Sequence, residues 1–96
     1  MPPYTLTGPA QRDLGDIEGY YVNIANESVA ARQIAGLVYR FELLAEFPGM
    51  GRDSGSGLRR YTVPRSPFVI LYYPRTDHVE IARIIRGIQH VDRAIQ

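Results

Sequence analysis

The chain has 96 residues, of which 45% are hydrophobic and 22% charged, a composition typical of one globular domain over residues 1–96. No window reaches the roughly 18 apolar residues of a membrane span, and the N-terminus lacks the basic start and apolar core of a secretory signal, so we expect a cytoplasmic protein. The absence of cysteine excludes disulfides and thiolate metal sites.

The net charge of +1 conceals a difference between the two halves of the chain. Residues 1–48 carry three arginines and six acidic residues, whereas residues 49–96 carry eight arginines and four acidic residues. Every basic side chain is arginine, whose planar guanidinium suits carboxylate, phosphate and stacked contacts. A GC-rich genome would also explain the missing lysine, but the uneven distribution predicts an anionic partner for the second half.

The first half predicts a short strand followed by two amphipathic helices. The strand covers residues 4–7, a helix follows over residues 9–24, and Asn26 is a candidate cap for a second helix that ends near residue 47. The apolar stripes of the helices are Leu14, Ile17, Tyr21 and Ile24, then Ile34, Leu37, Phe41 and Leu44. Short connections between the elements predict a helical hairpin.

The first helix contains two glycines and three acidic residues whose roles need an explanation. Gly15 and Gly19 lie four residues apart on one face, which either permits close helix–helix approach or leaves a helix pair of low intrinsic stability. Asp13, Asp16 and Glu18 are typical of a solvated helix face. We therefore expect no acid–base pair among these carboxylates.

The next segment, PGMGRDSGSG over residues 48–57, predicts a flexible connector because glycine and serine dominate it. It lacks the Gly-Lys-Ser/Thr ending of a phosphate-binding loop. The connector leads into the strands of the second half.

Residues 58–87 predict an antiparallel meander. The segments LRRYTV, FVILYY and HVEIARIIRG are separated by the turn signals PRSP and PRTD. Regular alternation along the last segment would place Val79, Ile81, Arg83 and Ile85 on one face. After residue 87 the apolar spacing predicts a short helical turn.

Metal and covalent chemistry find little support in the sequence. The two histidines, His78 and His90, do not have the spacing of a metal site, and we expect neither a metal nor a cofactor. No serine lies in a nucleophile motif. The arginines of the meander are then either charges that protect sheet edges or a cluster that binds a phosphate backbone or an acidic peptide.

The pieces YTLTGPAQRDLGDIEGYY, LLAEFPGMGR and LRRYTV…FVILYY…VEIARIIRG, in this order, resemble the RelE/ParE toxins of bacterial toxin–antitoxin modules. The resemblance covers nearly the whole chain. It implies an α+β fold of two layers, with an N-terminal strand, a helical hairpin and a three-stranded antiparallel meander, in an antiparallel sheet of the order 1-4-3-2. It also implies a cognate antitoxin that wraps the toxin and buries the hairpin and part of the sheet.

RelE-like members of this family cleave mRNA on the ribosome, and their residues are mostly missing here. Arg60 meets the requirement for a base on the second predicted strand, but Thr62 stands where a further base is needed. Val69 stands at the arginine position of the third strand, and Gln89 at a late arginine position. A ribonuclease would have to rely on Arg60, Arg83 and His90, with Arg86 as a further substitute.

The chain resembles the ParE-like members more closely, in the segments FPGMGR and VEIARIIRG. The resemblance implies a toxin that inhibits DNA gyrase by binding, performs no catalysis itself and is neutralised by a ParD-like antitoxin with an acidic C-terminal segment. The alternatives are a RelE-like ribonuclease and a non-toxic homologue that only binds its antitoxin. The predicted target-binding residues are Arg59, Arg60, Arg83, Arg86 and His90. The predicted antitoxin-binding residues are Leu14, Ile17, Tyr21, Ile34, Phe41, Arg59, Arg60 and Arg83, with Arg86 as a further charge contact.

Overall fold

The computed structural model describes residues 2–87, which form two helices packed on one face of a mixed five-stranded sheet. The elements are β1 (Tyr4–Leu6), α1 (Gly8–Ile24), α2 (Glu27–Glu46), β2 (Arg52–Asp53), β3 (Arg59–Thr62), β4 (Phe68–Pro74) and β5 (Val79–Arg86). The turn predicted after residue 87 lies outside the described residues. Neither α1 nor α2 combines the length and the hydropathy that crossing a bilayer requires.

Both helices begin at capping side chains. The hydroxyl of Thr7 accepts a hydrogen bond from the Ala10 amide at 3.1 Å, and the side-chain oxygen of Asn26 accepts one from the Val29 amide at 2.8 Å. Each cap satisfies an N–H group that has no partner within the first helical turn. The predicted hairpin and the predicted Asn26 cap are confirmed.

The sheet has the strand order β1-β5-β4-β3-β2. The predicted order of the four longer strands is confirmed, and the structure adds the two-residue β2 at one edge. β1 is parallel to β5, with Tyr4 opposite Val79, and the remaining neighbours are antiparallel. The implied antiparallel sheet is therefore wrong for the β1–β5 pair. The fold is therefore α+β with two layers, as the sequence predicts.

The segment around β2 is attached to the sheet by Tyr72. The hydroxyl of Tyr72 donates to the carbonyl of Pro48 at 2.7 Å and accepts from the amide of Gly51 at 2.9 Å. Arg59 adds a hydrogen bond from Nε to the Gly51 carbonyl at 3.1 Å. The prediction of a flexible connector is therefore wrong for residues 48–53, because a fully buried tyrosine hydroxyl holds them in place.

A bulge in β5 changes which residues face the helices. Leu71 lies opposite Arg83 but Tyr72 lies opposite Ile81, so Ala82 is an extra residue without a partner across the strand pair. Ile81 and Ile84 are consequently both buried although they are three residues apart. The predicted alternation is wrong beyond Ile81, because the extra residue reverses the sides on which later side chains lie.

The core lies between the helices and the sheet and consists mainly of Ile17, Leu37, Phe41, Leu44, Phe68, Ile70, Tyr72 and Ile81. Gly15 and Gly19 do not contribute to it. A Cβ atom added to either glycine would meet no heavy atom outside the immediate helix within 4 Å. Close helix–helix approach is therefore the wrong explanation for these glycines, and the alternative of low intrinsic helix stability remains.

Candidate functional site

Arg83 is held at the edge of β5 by Asp13 of α1. The Nε and Nη2 atoms of Arg83 donate to the Asp13 carboxylate at 2.7 and 3.0 Å. The backbone amide of Ile84 donates to the same carboxylate at 2.9 Å, beyond the point where β1 stops pairing with β5. The Asp13 side chain is only 13% exposed, so the prediction that it lies on a solvated helix face is wrong.

Burial and hydrogen bonding act in opposite directions on Asp13. Burial by itself would raise the pKa of the Asp13 carboxyl, but hydrogen bonds from Arg83 and the Ile84 amide, with the nearby positive charges, hold that pKa below its usual value. The hydrogen bond and the charge of Asp13 in turn raise the pKa of Arg83. Both groups are therefore charged at neutral pH.

Arg86, three residues after Arg83 at the end of β5, stacks on Tyr20 of α1. Its guanidinium carbon lies 3.9 Å from the centre of the Tyr20 ring, and its Nη2 atom donates to the Tyr20 hydroxyl at 2.8 Å. Arg83, Arg86 and Tyr20 line one cleft of about 320 Å³ between α1 and β5, with apolar walls that include Ile17 and Phe68. A tyrosine is a neutral partner, so the charge of Arg86 remains available to an anion.

Arg59 and Arg60 face opposite sides of the sheet because they are neighbours on β3. Arg59 donates to the carbonyls of Gly51 and Gly49 and so has a structural role. Arg60 is in register with Leu71, and Leu71 is in register with Arg83 on the other side. Two strand spacings separate Arg60 from Arg83 by about 10 Å. The structure thus brings Arg60 and Arg83 to one row of the sheet but does not place Arg59 with them.

Among residues 2–87 no histidine accompanies these arginines, although the carboxylates of Asp13 and Asp16 line the same cleft. His90 lies outside the described residues. His78 lies in the turn before β5, at the opposite end of that strand from Arg86, about 25 Å away at the usual rise per strand residue. Val69, at the arginine position that the ribonuclease resemblance implies, is 1% exposed. Residues 2–87 therefore provide guanidinium groups for anion binding and no histidine beside them.

The predicted apolar anchors for an antitoxin pack against the sheet. Ile17 and Phe41 are buried, and Leu14, Tyr21 and Ile34 are partly buried against the core. Phe41 is 0% exposed, whereas Ile17, at 7%, still lines the cleft between α1 and β5. The large apolar side chains that the described residues expose are Val22, Ile24, Tyr39, Phe47 and Met50.

Sequence reasoning missed Asp13 and Tyr20 as the partners of the β5 arginines. Asp13 is 70 residues from Arg83, and Tyr20 is 66 residues from Arg86. Their helical spacing of seven residues, which places both on one side of α1, is the signal that could have suggested a shared role.

Comparisons with known proteins agree with this architecture. Residues 4–90 match the family model described as "ParE toxin of type II toxin-antitoxin system, parDE". A solved structure described as "Chromosomal ParDE TA system from P. aeruginosa" superposes with a TM-score of 0.77 at 26% sequence identity, covering 88% of this chain and 94% of that chain. No curated protein matches the chain significantly.

Proposed function

Because the chain belongs to the family of ParE toxins of type II toxin–antitoxin systems, we propose that it inhibits DNA gyrase by binding and that a ParD-like antitoxin neutralises it. The match over residues 4–90 is the observation that carries this proposal. Gyrase acts in the cytoplasm, so the proposal includes that location. It assigns the protein no catalytic step.

The arrangement of the β5 arginines supports binding as the mode of action. Asp13 fixes the guanidinium of Arg83, and Tyr20 fixes that of Arg86, at the cleft between α1 and β5. Prior orientation lowers the conformational entropy that an arginine loses when it contacts a partner. Arg83 and Arg86 are therefore proposed target contacts. Arg60, which shares a row of the sheet with Arg83, is proposed as a third, and His90 remains a further candidate.

A supercoiling assay tests the proposed target. Purified chain without antitoxin should inhibit supercoiling of relaxed plasmid by gyrase and should cause linear DNA to accumulate. Arg86→Gln should weaken inhibition on the order of tenfold, as expected when a charge-assisted contact is lost. Arg75→Gln is the matched control, because Arg75 is paired with Glu80 at the other end of β5. Normal supercoiling without linear DNA would contradict the proposal.

The alternatives give different results in the same programme. Codon-linked mRNA cleavage in a translating extract, abolished by His90→Ala, would indicate a ribosome-dependent ribonuclease. Normal growth of a sensitive bacterium that produces the chain alone would indicate a non-toxic homologue.

For the antitoxin, the proposed contact is an acidic, amphipathic C-terminal segment. Leu71 is partly exposed between Arg60 and Arg83, which gives such a segment one apolar contact flanked by two positive charges. Arg60→Glu should weaken capture of the antitoxin, and the loss should diminish at high salt. Capture that is unchanged by charge reversal at Arg60, Arg83 and Arg86 would remove the electrostatic part of the proposal.

A further inference from the structure

A second cleft, of about 250 Å³, lies between α2 and the turn that joins β3 to β4. The residues predicted as target-binding or antitoxin-binding do not line it. Its polar lining comes from two elements that are distant in sequence, residues 32–40 of α2 and residues 64–66 of the turn.

The cleft is basic and has no acidic lining. Arg32 and Arg40 of α2 and Arg65 of the turn line it, and no carboxylate does. Within residues 2–87 the ion pairs of arginine involve Arg75 and Arg83, and none involves these three. Three neighbouring positive charges repel one another, and a bound anion would relieve that repulsion.

Arg40 is oriented toward a defined position. Its Nη1 atom donates to the hydroxyl of Tyr61 at 3.1 Å, and its guanidinium carbon lies 5.5 Å from the centre of the Tyr39 ring. Both partners are neutral, so the contacts fix the side chain without compensating its charge. A fixed and uncompensated guanidinium is well suited to bind an oxyanion.

Arg65 occupies a backbone conformation that favours glycine. Its φ is +58°, and the turn around it is closed by the Val63 amide donating to the Phe68 carbonyl at 3.0 Å and by the Phe68 amide donating to the Ser66 hydroxyl at 3.0 Å. An arginine at positive φ is strained relative to glycine. The strained position supplies the cleft with a charge that glycine would not.

We propose that this cleft binds the phosphate groups of a nucleic-acid strand with unpaired bases. Arg32 and Arg40 are eight residues apart on one helix, about 12 Å along its axis, a distance over which the backbone of a single strand presents more than one phosphate to a basic groove. Tyr39 is 55% exposed and provides a ring on which an unpaired base stacks.

An acidic peptide fits the cleft less well than a nucleic-acid strand does. Of the aliphatic and phenyl side chains that line it, Leu37, Val63 and Phe68 are at most 7% exposed, and the exposed Pro64 alone is a small anchor for an amphipathic segment. Apart from Pro64, the accessible lining consists of guanidinium, hydroxyl, amide and tyrosine groups. These groups are typical of surfaces that bind a phosphate backbone and stack a base.

Fluorescence anisotropy of the full-length chain with a short labelled single-stranded DNA tests the inference without gyrase. Arg32→Gln and Arg65→Gly should each weaken binding roughly fivefold to tenfold and lower the slope of log affinity against log salt by about 0.7. Because Arg65→Gly also relieves the strained φ, its thermal stability should equal or exceed that of the parent. Arg65→Gln, which retains the backbone requirement, should show the same loss of binding.

Arg52→Gln is the control, because it removes the same charge from an exposed site on β2. Equal losses for Arg52→Gln and Arg32→Gln would overturn the inference, since net charge alone would then explain binding. Tighter binding of an acidic peptide, or equally tight binding of a mononucleotide, would also overturn it. Variants that lose DNA binding but still inhibit gyrase would leave both the cleft assignment and the proposed function standing, as separate properties.

Discussion

Replacing Tyr72 by phenylalanine removes one oxygen atom that makes two hydrogen bonds. Tyr72 is 0% exposed, and its hydroxyl links β4 to the segment before β2 by donating to Pro48 and accepting from Gly51. The Gly51 residue is itself buried. After the substitution the buried Gly51 amide has no hydrogen-bond partner, because water does not readily reach it.

The expected loss of stability is about 2–3 kcal/mol. An ordinary hydrogen bond contributes about 1 kcal/mol net, and a buried amide left without a partner costs about 1–3 kcal/mol. Pro48 lies at the surface, so its carbonyl can bind water instead and adds less. For a domain of this size the loss corresponds to a decrease in Tm of roughly 10–20 °C.

Urea unfolding followed by circular dichroism measures this change, and Tyr61→Phe is the matched control. The Tyr61 hydroxyl has one partner, Arg40, whose guanidinium can bind water at this partly buried site, so its loss should cost less than that of the Tyr72 hydroxyl, about 1 kcal/mol. The Tyr72→Phe variant should also be cut by trypsin after Arg52 faster than the parent, because residues 48–53 lose an attachment. A stability within about 0.5 kcal/mol of the parent, with unchanged proteolysis, would refute the role assigned to the hydroxyl.

Three further predictions follow from the glycines and from Asp13. Gly15→Ala and Gly19→Ala should each stabilise the fold by about 0.5–1 kcal/mol in urea unfolding, because the added methyl group meets open space and alanine favours the helix; a destabilised variant would contradict this. Gly51→Ala should destabilise the fold by at least about 2 kcal/mol in the same assay, since its Cβ would lie 2.6 Å from the Tyr72 hydroxyl and 2.9 Å from a backbone oxygen; parent-like stability would refute it. Asp13→Asn should destabilise the fold at pH 7. The folded-state pKa of Asp13 is lowered, so its stabilising effect is present above the unfolded-state pKa of about 3.9 and is lost as pH falls through the folded-state pKa. In thermal melts the difference in Tm between the variant and the parent should therefore shrink on acidification. A difference in Tm that does not change with pH would refute the pair with Arg83.

Local signals in the sequence predict most of the elements. Asn26 and the residues after it have the pattern of a helix start, and the apolar run at residues 68–73 has the length and composition of a central strand. Such signals depend on near neighbours along the chain, through capping and side-chain periodicity. They do not depend on which other strand lies alongside, so they can be read without the fold.

The functional surface depends on contacts that no local pattern encodes. From the sequence, Asp13 is predicted to be a solvated carboxylate because its partners, Arg83 and the Ile84 amide, are about 70 residues away along the chain. The bulge at Ala82 is equally hidden, since it is defined by the register against β4. A shift by one residue moves every following side chain to the other face.

The sequence by itself determined the helical hairpin, the meander, the strand order through family resemblance and the excess of arginine in the second half. Only the tertiary structure decided what each arginine does. It directs Arg59 to backbone carbonyls, Arg83 to Asp13 and Arg86 to Tyr20. It also brings Arg65 beside Arg32 and Arg40 of α2. The physical reason is that a guanidinium is committed or available according to which groups lie within hydrogen-bond distance, and folding alone sets those distances.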